Sequence, residues 1–132
     1  MDERHLDAEI SAKINLLVLE HDETEYMIQN GNKDDLREQS QFYEKQLKEI
    51  RELSRKAKEV KIKSGTQIID IKKWDDEVRE LKRPEELLYQ ELRKVLEEIV
   101  QDEKKETEQF ELEKLRLASQ HTNLPSRNEN AV

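Results

Sequence analysis

Histidine side chains are the groups in this chain best suited to bind a metal or transfer a proton, and they stand at His5, His21 and His121. No two of them are four residues apart, and none follows a glutamate by three residues. Helical di-iron and zinc-protease sites need such spacings, so the sequence predicts no metal site. His21 falls on the apolar side of the first predicted helix, where a polar residue more often fixes register than binds a metal.

The other residue types do not indicate catalysis or a cofactor. The chain has no cysteine, and its two glycines, Gly31 and Gly65, are isolated, which excludes thiolate nucleophiles and glycine-rich phosphate loops. Aspartate and glutamate number 32, but nothing predicts the cleft or apolar pocket that would shift their pKa values. We therefore expect no enzyme, no catalytic residue, no cofactor and no small-molecule substrate.

A basic cluster ends the second predicted helix, at Arg55, Lys56, Lys58, Lys61 and Lys63. These cations could bind the phosphates of a nucleic acid. We favour a solvated face, in which the cluster pairs across the next turn with Asp70, Asp75, Asp76 and Glu77. The net charge of −8 also disfavours general attraction to nucleic acid or to an anionic membrane. Nucleic-acid binding through this cluster is our alternative function.

Two apolar features could instead bind a protein. Trp74, the single tryptophan, is interpreted as a core anchor, with a docking hot spot as the alternative. The run 101–109 has no apolar residue, and four large ones then follow in a new phase: Phe110, Leu112, Leu115 and Leu117. These four have nothing evident to pack against, so we predict that they contact a partner.

Three helices must position these residues. Asn30-Gly31 and Ser64-Gly65 are typical helix ends, with Gly31 expected in the left-handed conformation. They divide the chain into helices over about 2–29, 33–63 and 66–118. Residues 1–120 are predicted to form one helical coiled-coil domain, and the polar residues 121–132 a disordered tail.

The third helix carries the clearest pattern. Apolar residues occupy eight of nine core seats in a seven-residue repeat, and Glu85 occupies the ninth. The eight are Ile71, Trp74, Val78, Leu81, Leu88, Leu92, Val95 and Ile99. Because the phase continues across Pro84, we favour a kinked but continuous helix over a loop.

The first two helices carry seams of their own. The first has Leu6, Ile10, Ile14, Leu17, His21, Thr24 and Ile28, and the second has Leu36, Tyr43, Leu47, Ile50, Leu53, Ala57 and Val60. Leu16, Val18 and Leu19 widen the first seam and suggest two neighbours. In the second helix, Ser40 interrupts the seam and the 3.6-residue period moves the last core seat from Lys61 to Val60.

The composition agrees with narrow seams. Apolar residues make up 33% of the chain and charged residues 42%, too little apolar material for a round core. We predict an all-α fold, an antiparallel three-helix bundle whose long third helix projects as an arm. The longest apolar run is Leu16–Leu19, far short of a membrane span, and the N-terminal residues are not of signal-peptide type. We expect a cytoplasmic protein without membrane contact, with the nucleus as an alternative.

The order of a helix pair, a tryptophan-bearing segment (IIDIKKWDDEVRELKRPEELLYQELRKVLEEI) and a charged run ending QFELEKLRLASQ resembles a known family. It is similar to the N-terminal coiled-coil region of gag-like polyproteins from Pao-type invertebrate retroelements. Trp74 and the acidic pair Asp75-Asp76 carry the resemblance, which covers roughly residues 10–120. It implies a truncated or repurposed element whose helices support self-assembly, and it implies no catalytic residue.

Together these patterns predict a non-enzymatic helical interaction module. We expect it to associate with itself as a homo-oligomer, or to dock on another helical protein.

Overall fold

The computed structural model describes residues 2–131, and side chains over residues 2–120. Three helices make up this part of the chain: α1 (Glu3–Asn30), α2 (Lys33–Lys63) and α3 (Ile68–Ala131). The described residues include no strand, and the predicted all-α fold is confirmed. The predicted tail, 121–132, lies outside the residues whose side chains are described. The helix α3 continues through Pro84, as the phase of its seam predicted.

Side-chain caps explain where α1 and α2 begin. The Asp2 carboxylate accepts a hydrogen bond from the backbone N–H of His5 at 2.8 Å, and the Asn32 side chain accepts one from Asp35 at 2.9 Å. Each cap satisfies a backbone donor that the first helical turn leaves without a partner.

Glycine is required at Gly65 and at Gly31 for different reasons. Gly65 has a φ of 81° and takes the left-handed conformation that favours glycine. Gly31 does not: its φ is −78°, so the left-handed prediction was wrong. A Cβ at Gly31 would lie 2.6 Å from the Met27 carbonyl oxygen, so close backbone approach is what requires glycine there.

Contacts between the helices establish their directions. Lys61 near the end of α2 bonds Glu3 near the start of α1, while Gln39 bonds Thr24, so α1 and α2 are antiparallel. Lys61 also lies over Trp74 of α3, and Tyr43 bonds Glu85 farther along. The helix α3 is therefore antiparallel to α2 and parallel to α1, and the predicted bundle is observed.

One thin core joins the three helices. Its buried members are Leu6, Ile10, Ile14 and Leu17 of α1, Tyr43, Leu47, Ile50, Leu53 and Ala57 of α2, and Val78 and Leu88 of α3. A fully buried aliphatic or aromatic side chain contributes roughly 1.5–3 kcal/mol relative to an exposed one, so this narrow seam supplies the main driving force for the bundle.

Several predicted core seats are buried to a different extent from what the sequence predicted. Leu81 is 60% exposed, whereas Ile71, Val78, Leu88 and Leu92 of the same seam are buried. Trp74, Val95 and Ile99 are half-buried. Leu16, Val18 and Leu19 are exposed, so they do not widen the buried face of α1. On α2 the last buried seat is Lys61 rather than Val60, and Ser40 is buried within the seam.

The chain divides into two compact units, Met1–Leu96 and Glu97–Val132. The first contains the core. In the second, every side chain over residues 101–120 is exposed. The compact unit with the core thus ends at Leu96, whereas the sequence analysis predicted a single domain over 1–120.

Candidate functional site

A buried carboxylate marks the point where the three helices meet. Glu85 of α3 is 3% exposed. Its two carboxylate oxygens lie 3.0 and 2.8 Å from Nδ1 of His21 on α1. The hydroxyl of Tyr43, on α2, donates to Glu85 Oε2 at 3.3 Å and to the Leu17 carbonyl at 3.1 Å. A charged group this deeply buried is stable only when it is paired and hydrogen-bonded, and here all three helices provide the partners.

Both ring nitrogens of His21 face carboxylates. Its Nε2 lies 2.7 Å from Glu25 Oε1, one turn along α1, while Nδ1 faces Glu85. The hydrogen bond to Glu85 raises the pKa of His21 above 6.5, the contacts with Glu25 act in the same direction, and partial burial opposes them. For the Tyr43 phenol, burial raises the pKa far above its ordinary value, so the hydroxyl keeps its proton.

A second set of hydrogen-bonded polar groups lies between α1 and α2. Thr24 donates its hydroxyl hydrogen to the Glu20 carbonyl at 2.7 Å and accepts a hydrogen bond from Gln39 Nε2, also at 2.7 Å. Gln39 reaches the Glu20 carboxylate at 3.3 Å. Because these groups bond one another, burial of Thr24 and Gln39 is compatible with a stable core.

The predicted basic cluster is divided by the structure. Lys61 is 4% exposed, and its ammonium bonds Glu3 at 2.6 Å and Asp7 at 3.1 Å on α1. It also lies 4.8 Å from the centre of the Trp74 ring. Burial alone would lower the pKa of Lys61, but the hydrogen bonds to Glu3 and Asp7 outweigh it and raise the pKa. Lys61 is therefore a structural cation, which corrects its assignment as a candidate nucleic-acid contact.

The rest of the cluster is exposed. Arg55 pairs within α2, with Glu52 and Glu59, both at 2.6 Å. The predicted pairing with acids across the turn is not what the structure shows, since Asp75 pairs with Arg79 of its own helix. Lys56, Lys58 and Lys63 are exposed and are the cations of the cluster left facing solvent.

The predicted partner contacts lie in the second unit. Phe110, Leu112 and Leu115 are each 66% exposed, and Leu117 is 52% exposed. An α-helix turns about 100° per residue, so Phe110 and Leu117, seven residues apart, share one face. Leu112 and Leu115 share another, on nearly the opposite side. The four residues therefore form two apolar pairs, not the single group that the sequence indicated.

The first unit also exposes apolar surface on α3. Ile69 and Leu81 border an open groove of about 760 Å³, together with Lys72, Lys73, Asp76, Glu77 and Glu80. The groove lies along one helix and is lined by the stems of charged side chains. It resembles neither an enclosed binding cavity nor a cleft with converging polar groups.

The arrangement of titratable groups indicates a structural role. His21, Glu25 and Glu85 combine residue types that can exchange protons, but Glu85 is covered by protein and out of reach of a substrate. Over the residues whose side chains are described, no group of three or more histidine, aspartate or glutamate side chains could hold a metal ion.

Sequence reasoning placed His21 and Glu85 each in a core seat of its own helix, but it did not pair them. His21 and Glu85 each interrupt an apolar seam with a polar side chain, and this was the only sign in the sequence that they could be paired. Two such interruptions on different helices can compensate one another only if the helices meet at that height, which the sequence does not specify.

Comparison of the chain with protein-family models, curated proteins and solved structures finds no match in any of the three. Within the described part of the chain, no helix has the length and apolar character needed to span a membrane.

Proposed function

We propose that the protein is a non-enzymatic helical interaction module that self-associates through Phe110, Leu112, Leu115 and Leu117, with another helical protein as the alternative partner. The supporting observation is the exposure of these four large apolar side chains on a helical segment whose side chains from 101 to 120 are all exposed. Large apolar side chains grouped on a surface are typical of contact sites.

The stability of the segment gives a physical reason for a partner. Most helical stability in proteins comes from packing an apolar face rather than from helix propensity. Residues 101–109 supply no apolar side chain at all. Burial of each of the four side chains against a neighbour would contribute roughly 1.5–3 kcal/mol before the cost of association.

The division into two pairs bears on the kind of assembly. One neighbouring helix can cover the face of Phe110 and Leu117 or the face of Leu112 and Leu115, but not both, because the faces point in nearly opposite directions. We therefore expect each segment to contact two neighbouring helices in the assembled state.

Light scattering on the full chain at several concentrations tests this proposal. We expect a molar mass of at least twice that of one chain. The double variants L112S/L115S and F110S/L117S should each reduce the mass, because each removes one apolar face. The variant E111S/K114S changes two polar positions in the same segment and should keep the wild-type mass. A single-chain mass for the wild type at every concentration would refute self-association.

The resemblance to the coiled-coil region of Pao-type gag-like polyproteins belongs to the same proposal. It would make the chain an assembly element of retroelement origin, acting in the cytoplasm. An association through helical segments supports this origin, and a strictly monomeric chain would count against it.

Nucleic-acid binding is the alternative function. Three exposed lysines, Lys56, Lys58 and Lys63, support it together with Arg55. A gel shift at low salt that is lost at moderate salt would be expected, because phosphate contacts release counterions. The variant K58E should weaken the shift. Absence of any shift at low salt would exclude this function.

A further inference from the structure

The pair of His21 and Glu85 is a contact by which the third helix bonds to the first across the core. The imidazole comes from α1, the carboxylate from α3, and the Tyr43 hydroxyl that also reaches Glu85 comes from α2. Glu85 is 3% exposed, whereas the side chain of His21 is 25% exposed. Water can therefore reach the imidazole, and protons can exchange with it, while the carboxylate stays buried.

The number of protons on the His21 ring decides whether both of its contacts can be hydrogen bonds. A neutral imidazole has one N–H, and its other nitrogen can only accept a hydrogen bond. Here Nδ1 lies 2.8 Å from Glu85 and Nε2 lies 2.7 Å from Glu25, and ionised carboxylates only accept. Both contacts are hydrogen bonds only when His21 is doubly protonated. When His21 loses one proton, the nitrogen that lost it presents a lone pair to a carboxylate. Only one of the two hydrogen bonds then remains.

No neighbouring group compensates for that loss. The Tyr43 hydroxyl has a single hydrogen to donate. Its oxygen lies 3.1 Å from the Leu17 carbonyl oxygen and 3.3 Å from Glu85 Oε2. The groups that act on His21 are Glu85 from α3 and Glu25 from α1. Those that act on Tyr43 of α2 are the side chain of Thr24, by a hydrogen bond, and the carboxylates of Glu85 and Glu20. Apart from the imidazolium, none of these is a cation.

We propose that His21 and Glu85 form a pH-responsive lock that holds α3 against α1 and α2, closed while His21 carries its second proton and weakened when that proton is lost. The lock belongs to the first unit, Met1–Leu96, and does not depend on how the chain associates.

The direction of the effect follows from the raised pKa of His21. Its contribution to stability is fully present below about pH 6.5, the ordinary pKa of histidine, and is lost as pH rises through the raised value. The pKa of Tyr43 and that of Lys61 are both raised above ordinary values that already lie near 10 or higher. Neither group therefore titrates between about pH 6 and about pH 9, so neither contributes to a change in that window.

Trp74 gives a direct readout, because it is the single tryptophan of the chain and lies on α3 against the core. Unfolding of the full chain in urea, followed by tryptophan fluorescence, should give a lower midpoint at about pH 9 than at about pH 6. We expect the folding equilibrium constant to fall by about tenfold, the lower end of what a hydrogen bond to a charged group contributes. Amide protection factors, which correct for the faster intrinsic exchange at higher pH, should fall more over residues 71–92 than over α1.

Two variants separate the lock from other effects of pH. His21→Gln removes the titrating group and should abolish most of the difference between the two pH values. His5→Gln removes the exposed histidine that pairs with Glu9 and should retain the full difference. Equal wild-type midpoints at the two pH values, or an undiminished difference in His21→Gln, would overturn the proposal.

A titration of the wild-type chain covers the case in which His21→Gln does not fold. The ring-proton NMR signal of His21 should titrate above pH 6.5 in the folded protein. An ordinary or lowered value would overturn the lock. A monomeric mass in light scattering would refute self-association but leave this titration unchanged, so the two proposals can fail separately.

Discussion

Tyr43 of α2 shows how one buried hydroxyl can bond to two other helices. Its side chain is fully buried, and its hydroxyl lies between the Leu17 carbonyl and Glu85. Tyr43→Phe keeps the ring but leaves those acceptors without this donor. We expect a loss of about 1–2 kcal/mol of unfolding free energy, as for other buried hydrogen bonds. Urea denaturation near pH 7 measures it. Tyr26→Phe, at a residue 63% exposed, is the control and should change little.

Lys61 can be tested in the same way. Lys61→Met keeps an unbranched side chain of similar size and removes the charge that pairs with Glu3 and Asp7. The two carboxylates are each more than a third exposed, so water can solvate them after the change, and the cost should be moderate, about 1–2 kcal/mol. Lys58→Met, at an exposed position, should leave the urea midpoint unchanged. Equal midpoints for the two variants would contradict a structural role for Lys61.

At the scale of single residues, periodicity predicted which side of each helix is buried, but not which partners allow polar residues to lie there. Lys61 lost its core seat to Val60 in the prediction because the 3.6-residue period shifts the seam by one residue. Its burial depends on Glu3 and Asp7, more than fifty residues earlier in the chain. The same reason explains why Glu85 looked like an interruption until His21 was seen beside it.

At the scale of helices, Pro84 carries a prediction of its own. Proline has no backbone N–H, so Pro84 cannot donate the usual helical hydrogen bond to the Glu80 carbonyl in α3. Because Pro84 is exposed, Pro84→Ala should restore that bond without disturbing the core, raising the unfolding free energy by about 1–3 kcal/mol. Thermal melts followed by circular dichroism test this. Arg83→Ala, at an exposed position, should stay within about 0.5 kcal/mol of wild type. A lower melting temperature for Pro84→Ala would mean that the proline shapes the packing of α3.

The seam of α3 shows what a heptad pattern can and cannot predict. One column, Ile71, Val78, Glu85 and Leu92, is buried throughout. In the other column, Leu88 is buried, Trp74 is half-buried and Leu81 is exposed. A repeat identifies the side of a helix, but burial also needs a neighbouring side chain at the same height. The sequence of one helix does not contain that information, which is why Leu81, Leu16, Val18 and Leu19 were misassigned.

At the scale of the whole molecule, helix lengths explain where the core ends. The helix α1 has 28 residues, and a stretch of 28 residues counted from Ile68 ends at Val95. The helix α3 therefore has companions only about as far as Leu96, where the first unit ends. Helix ends were readable from Asn30-Gly31 and Ser64-Gly65, so this limit can be derived from the sequence, although residues 1–120 were predicted as one domain. The distribution of the last apolar residues over two faces also follows from 100° per residue in the predicted helix, although the sequence analysis treated them as one group.

A chain shortened to residues 1–100 tests whether the first unit supplies the stability and the later segment supplies the contact between chains. It keeps the entire core and the half-buried Val95 and Ile99, while it lacks the exposed segment with its two apolar pairs. We expect its urea midpoint and Trp74 emission to match those of the full chain, because surface regions without core contacts usually contribute within about 0.5 kcal/mol. Its mass in light scattering should be that of one chain, because the proposed contact residues are gone. Retained association would place the contact on the first unit, with the groove bordered by Ile69 and Leu81 as the surface to alter next. A large loss of stability would instead show that residues beyond Val100 support the bundle.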